Sequence, residues 1–199
     1  MGNEFIDKPK IIDKEEARKQ FDYYTKVLNL KHTFSFDEAW EFVMAKRKEV
    51  FRGNIVAFEE QLKQVPGCLG EDPFPLKHTF ADGMYIRQIT VPAKTLTVTK
   101  IHKTTHPFFI LKGEVSILTE EGVKRIKAPY SGITKAGTKR IIWHHDEVVL
   151  TTVHATKETD LDKIESEIIA KSYSELGLEN EVKLLSFIKS IPELEEAKC

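Results

Sequence analysis

Cysteine is almost missing from this chain of 199 residues: only Cys68 and Cys199 are present. They form neither a paired metal motif nor a disulfide framework, so the chain reads as intracellular and reduced. Long apolar runs are missing as well. No stretch approaches the ~20 apolar residues of a membrane span, and the N-terminus MGNEFIDKPKIIDKEEARKQ is too charged to hold the apolar segment of a signal peptide. Membrane insertion and secretion by a signal peptide are therefore not expected. Ile6 stands where a myristoylation start would need Ser or Thr. An excess of one charge sign is missing too: 30 Lys+Arg face 31 Asp+Glu, for a net charge of -1. That balance supplies no global field toward nucleic acid or an anionic membrane. There is no internal repeat or low-complexity linker. What remains, 41% hydrophobic and 31% charged residues, is enough for one principal core with a small helical appendage.

The first third carries helical periodicity. Helix formers run from Lys14 to about Leu30, with Phe21, Tyr24, Val27 and Leu28 at spacings of three and four, which predicts one amphipathic face. Ser35 and Glu38 make a capping box ahead of FDEAWEFVMAKRKEV, predicting a second helix. Asn54 precedes IVAFEEQLKQV, where Ile55, Phe58, Leu62 and Val65 keep the helical spacing until Pro66-Gly67 ends it. Residues 1–66 thus read as a helical region that packs on the β-rich remainder of the chain, with Trp40 as a core aromatic. Three prolines and two glycines in VPGCLGEDPFPLK mark 67–79 as a connector.

From there the period changes. MYIRQITV, KTLTVTKIH, PFFILKG, EVSILTE, VKRIKAP, KRIIW and EVVLTTVHA are short β-rich runs at close spacing, the pattern of an antiparallel sandwich or barrel over 80–156. Glu120-Glu121-Gly122 is the clearest hairpin turn. Thr159 and Asp160 can cap LDKIESEIIAKSY, and ENEVKLLSFIKS predicts one more short helix before an acidic tail, so 157–199 reads as C-terminal helices and tail. The fold class is mainly β (α+β): an antiparallel barrel with N-terminal and C-terminal helices.

Five of the seven histidines, His102, His106, His144, His145 and His154, fall in or at the ends of predicted strands. Imidazole is the commonest transition-metal ligand, and antiparallel strands can bring several to one interior point. Side chains at i, i+2 and i+4 share a strand face, which groups Lys100 with His102 and Arg140 with His144. Four strand residues span roughly 13 Å, so His144 reaches His102 and His106 only if a bulge near Trp143 shortens the path. On this geometry a divalent metal would be held by His102, His106 and, as third ligand, His144. Arg140 and Lys100 could instead hold a carboxylate or phosphate by charge-assisted hydrogen bonds, or pair with Glu114 or Asp146 at the rim.

The stretch KTLTVTKIHKTTHPFFILKG resembles the first motif of the cupin superfamily, and KAGTKRIIWH resembles the second. With Gly113 as anchor, His106 takes the place of the family's glutamate, His102 that of its second histidine, Lys100 that of its first, and Lys94 that of its leading glycine. In the second motif Gly137 is kept, Lys135 replaces proline, Arg140 occupies the fourth-ligand place and His144 the asparagine place. The resemblance implies a cupin-type jelly roll whose usual three-His, one-Glu centre is altered, since a guanidinium cannot ligate. The wider run from about Lys77 to Glu165 is similar to small cupin proteins of tailed bacteriophages and prophages. That resemblance implies a host bacterial cytoplasm or a virion, a homo-oligomer, and virion proteins among the partners. The expected function is binding at the barrel mouth of a divalent transition metal (Zn, Fe, Mn or Ni) or a small anionic ligand, without turnover. The alternatives are a virion structural component, or a metal-dependent isomerase, epimerase or oxygenase.

Overall fold

The computed structural model describes residues 13–29, 34–70 and 73–178. The expected helix ENEVKLLSFIKS, the acidic tail and Cys199 lie outside the described residues. The chain divides into two compact units, the described residues up to Arg47 belonging to the first and those from Lys48 to the second.

In the first unit, α1 (Lys14–Val27) is capped by Asp13, whose side chain accepts the amides of Glu15 and Glu16 at 2.8 and 3.0 Å, satisfying two of the donors a helix start leaves open. Of the expected apolar face Phe21 packs inward, its ring 5.6 Å from that of Phe36; Tyr24, Val27 and Leu28 are exposed. Phe36 also stacks on Trp40 and lies under the Arg18 guanidinium, which is held by both carboxylate oxygens of Asp37. The capping box forms: the Glu38 amide donates to Ser35 Oγ, and the Ser35 amide donates to Glu38 Oε2.

Two helices were expected between Ser35 and Val65, but there is one, α2 (Phe36–Leu62). A helical Gly53 costs about 1 kcal/mol relative to Ala, and Asn54 would serve as a cap. Tertiary anchors override both. Within the second unit Arg52 Nε donates to Glu120 at 3.1 Å, Lys139 Nζ to Glu59 at 3.0 Å, and Ile55 is buried.

The second unit carries eleven strands among the described residues: β1 (Leu76–Ala81), β2 (Met84–Val91), β3 (Thr95–Val98), β4 (Ile101–His102), β5 (His106–Lys112), β6 (Glu114–Thr119), β7 (Gly122–Lys127), β8 (Tyr130–Thr134), β9 (Ile141–His144), β10 (Val148–Ala155) and β11 (Ile169–Ala170), with α3 (Leu161–Ile168) between the last two. β1 begins inside the expected 67–79 connector. It and β8 escape a pattern search because proline and glycine flank or interrupt them. Glu120 and Glu121 form the two-residue hairpin between β6 and β7, and the pair Thr119↔Gly122 closes it.

All pairings are antiparallel, in sheets ordered β1-β2-β10-β5-β8 and β3-β9-β6-β7, with β4 paired to β11. Numbering the eight main strands β2, β3 and β5 to β10 from one to eight, the sheets read 1-8-3-6 and 2-7-4-5. This is the strand order of a double Greek-key jelly roll. Alternate residues of facing strands, Phe108 and Ile110, Val115 and Ile117, with Ile142 and Val148, fill its interior. Gly113 turns β5 into β6 at φ 87, where a Cβ would meet the Glu147 carbonyl oxygen at 2.4 Å.

α3 starts at Asp160, whose carboxylate accepts the amides of Asp162 and Lys163, and buries Ile164 and Ile168 against Tyr85. It stops at Ile168, short of the expected Tyr173, because Ile169 and Ala170 pair with β4. Among the described residues no helix is long and apolar enough to cross a membrane.

Candidate metal centre

The strand period that fills the barrel with Phe108 and Ile110 also turns His106, at the head of β5, inward, where it is 3% exposed. β10 runs antiparallel beside it, with Leu150 opposite Ile110 and Thr152 opposite Phe108. Two residues further on each strand stand His154 and His106. Their ring centroids are 4.3 Å apart. His102 comes from β4, which is held from two sides: Gly137 donates its amide to the His102 carbonyl at 2.8 Å, and Ile169 pairs with His102 across β11. Its ring lies 4.2 Å from that of His106 and 5.3 Å from that of His154.

Each of the three imidazoles offers a ligand atom, and these atoms all lie within 4.8 Å of one another. Donors about 2.05 Å from a tetrahedral zinc stand roughly 3.3 Å apart, so small ring rotations close the set. The protonation pattern suits this. His106 Nδ1 is 3.1 Å from the Thr104 carbonyl and so carries the hydrogen, leaving Nε2 as a lone pair. His154 Nε2 lies 3.1 Å from the Thr152 hydroxyl, while His154 Nδ1 and His102 Nδ1 are buried with no partner. Orphaned polar atoms in a core cost of order 1–3 kcal/mol each, a cost that a bound cation removes. Burial, reinforced by the neighbouring imidazoles and by Arg87 and Arg140, pushes His102 down to about 2. Burial, with His106 and Arg87, brings His154 to about 4. Burial also lowers His106, against the opposing pull of the Thr104 carbonyl. All three are thus neutral at pH 7, the state in which imidazole ligates. The residues present fit a divalent transition ion.

The third imidazole of this group is His154, where the strand reading had His144. β9 contains no bulge: its register runs unbroken from Thr95↔His144 to Val98↔Ile141. His144 therefore lies deeper in the barrel, four residues along from Arg140, buried, with Nε2 3.0 Å from the Thr97 hydroxyl and Nδ1 unpartnered. Burial pushes it down to about 4. His145 faces the other way and contacts Ser116 Oγ at 2.8 Å. One signal for His154 was in the sequence: Leu150, Thr152 and His154 alternate on one face of a strand that ends near the first-motif histidines.

Lys100 and Arg140 contact different groups. Lys100 Nζ lies 2.6 Å from Glu165, not from Glu114 or Asp146. Glu114 pairs with Arg125. Arg140 stays at the interior, its guanidinium 4.9 Å above the Phe108 ring and its Nε buried with no partner. A cavity of about 50 Å³ beside it is lined by His102, His106, Thr99, Thr134 and Thr152.

No family model matches the chain, and neither does any curated protein. Solved structures with a similar barrel include the ectoine synthase of P. lautus (TM-score 0.41, 12% identity, over 54% of this chain and 82% of that one). The cupin domain of Schizosaccharomyces pombe Cnp3 is similar at TM-score 0.38 and 20% identity, over 50% and 71%. An acetylacetone dioxygenase of Acinetobacter johnsonii is similar at TM-score 0.37 and 15% identity, over 46% and 65%. These likenesses stop at about half of this chain and carry nothing about its chemistry. The strand order decides the fold class. It is a jelly-roll barrel with flanking helices.

Proposed function

We propose that this protein binds a divalent transition metal at the mouth of its barrel through His102, His106 and His154. The observation that carries the reading is the convergence of three imidazoles, two buried and one half-buried, of which His102 Nδ1 and His154 Nδ1 have no protein partner. An all-nitrogen set favours zinc, nickel or iron over manganese, which prefers oxygen. Such an ion supplies Lewis acidity and positions for a small ligand when bound. The chain's own residues do the rest. Thr104 and Thr152 orient two rings, Gly137 holds the third strand in place, and Phe108 with Ile117 keeps the inner wall dry.

Binding without turnover is the form we favour. Among the described residues no Asp or Glu joins the group, and imidazoles held neutral have no readily transferable proton to give as acids.

The test is calorimetric titration of zinc into protein purified without a histidine tag and stripped of metal. Wild type and His144→Gln bind with affinities within about threefold of each other, while His154→Ala loses about a hundredfold or more. A wild-type protein that takes up no zinc, or a His144→Gln variant as impaired as His154→Ala, would overturn the reading.

A further inference from the structure

Two cavities meet inside the barrel. The inner one, about 50 Å³, touches His102 and His106. The outer one, about 260 Å³, lies between the β6–β7 hairpin, β8 and the Ala136–Thr138 segment. Phe108, Ile117 and Arg140 line both. Arg140 is therefore the polar side chain common to the two, and it divides them.

Its condition there is unusual for an arginine. Nε is buried with no hydrogen-bond partner, and among the described residues no carboxylate is paired with it. The Phe108 face beneath it supplies cation–π attraction, which leaves the in-plane Nε donor without a partner. The other charges of the outer cavity are largely matched: Glu120 is shared by Arg52 and Lys48, and Glu121 pairs with Lys124. Lys135 adds a further cation to the lining. An unmatched guanidinium in a partly desolvated cavity calls for an anion, and its planar fork fits a carboxylate bidentately. Ile126, Tyr130 and Ile133 add apolar and aromatic surface to an outer lining that otherwise carries many charged groups, and the volume is at the small end for organic ligands.

We infer that the barrel binds a small carboxylate with an apolar or aromatic body, its carboxylate on Arg140 and its body in the outer cavity. The inference deepens the metal reading without depending on it. A dication on the three histidines would add positive charge beside Arg140, so the metal strengthens carboxylate binding, while the guanidinium alone suffices to hold it.

The test uses phenylacetate, with phenylacetamide as its neutral isostere and inorganic phosphate as a second anion, each titrated into metal-free and zinc-loaded protein and followed by ligand-observed NMR. Metal-free wild type binds phenylacetate at least about tenfold more tightly than phenylacetamide or phosphate. Arg140→Gln erases that preference, and Arg140→Lys, which keeps the charge and loses the fork, recovers only part of it. Zinc binding by Arg140→Gln shows that the variant is folded; if it does not fold, the acid and amide pair on wild type still decides. Equal binding of acid and amide, no binding of phenylacetate, a preference for phosphate, or an Arg140→Gln variant that keeps the preference would each overturn the inference. Failure of zinc to bind wild type would remove the metal reading while leaving the metal-free comparison intact.

Discussion

His144 gives the structure a measurable sensitivity to acid. It is 2% exposed, and burial pushes its proton affinity down from the usual 6.5 to about 4. Its Nδ1 has no acceptor to receive a second hydrogen. At pH 7.5 neither the folded nor the unfolded chain is protonated here, so the residue has no pH-dependent effect. As the pH falls below 6.5 the unfolded chain takes up a proton that the folded chain refuses until about 4, and stability is lost through that window. At pH 5 the unfolded imidazole is almost fully charged and the folded one about a tenth charged, which amounts to a loss of about 2 kcal/mol, approaching ~3.4 kcal/mol below pH 4. The assay is urea unfolding followed by circular dichroism at pH 7.5 and pH 5, in EDTA, for wild type and His144→Gln. The glutamine does not titrate, so the variant's loss of stability over this interval should be smaller than wild type's by about 2 kcal/mol, whatever its stability at pH 7.5. The three clustered histidines contribute to both proteins and cancel. If the two lose the same stability within about 0.5 kcal/mol, the buried, partnerless account of His144 is wrong.

Gly113→Ala should cost several kcal/mol or prevent folding, since φ is 87 and the new Cβ would press on backbone at 2.4 Å; Gly83→Ala, at φ 73 with nothing within 4 Å, should cost only about 1–2 kcal/mol. Thermal unfolding compares them. Gly137→Ala, at φ 76, forces a Cβ to 2.6 Å from Leu178 Cδ1 beside the amide that holds His102, so it should weaken zinc binding as well as stability; calorimetry that shows unchanged affinity would count against that link. Lys139, 7% exposed, is paired with Glu59, and Lys139→Ala should cost about 1–3 kcal/mol in urea, with Lys139→Met costing less because it refills the space. Ser35→Ala should cost about 1 kcal/mol by removing the cap of α2.

The barrel was legible because its strands carry their signal locally. β2 coincides with the run MYIRQITV, and β5, β6 and β10 fall within a residue or so of theirs. The capping box at Ser35 was equally local. What sequence could not supply was decided by pairing. The merging of two helices into α2 depends on Glu120 and Lys139, far along the chain, and the early stop of α3 depends on β4. β1 and β8 form because a partner strand completes them, despite flanking prolines and glycines.

The site divides along the same line. His102 and His106 sit four residues apart, and their convergence follows from one turn between β4 and β5. The third position depends on which strand lies beside β5, and that is β10, whose His154 stands 48 residues after His106, so His154 enters through register and leaves no spacing motif. The motif places that carry positive charge are disposed of differently. Lys100 is neutralised by Glu165 outside the group, whereas Arg140 remains inside it with no anion. A protein that kept the histidines for packing alone would have little reason to leave an unmatched guanidinium at the boundary of their cavity. On the proposed reading the two halves favour one another: a carboxylate on Arg140 would offset the guanidinium charge and so reduce the repulsion that a dication on the neutral imidazoles would otherwise meet.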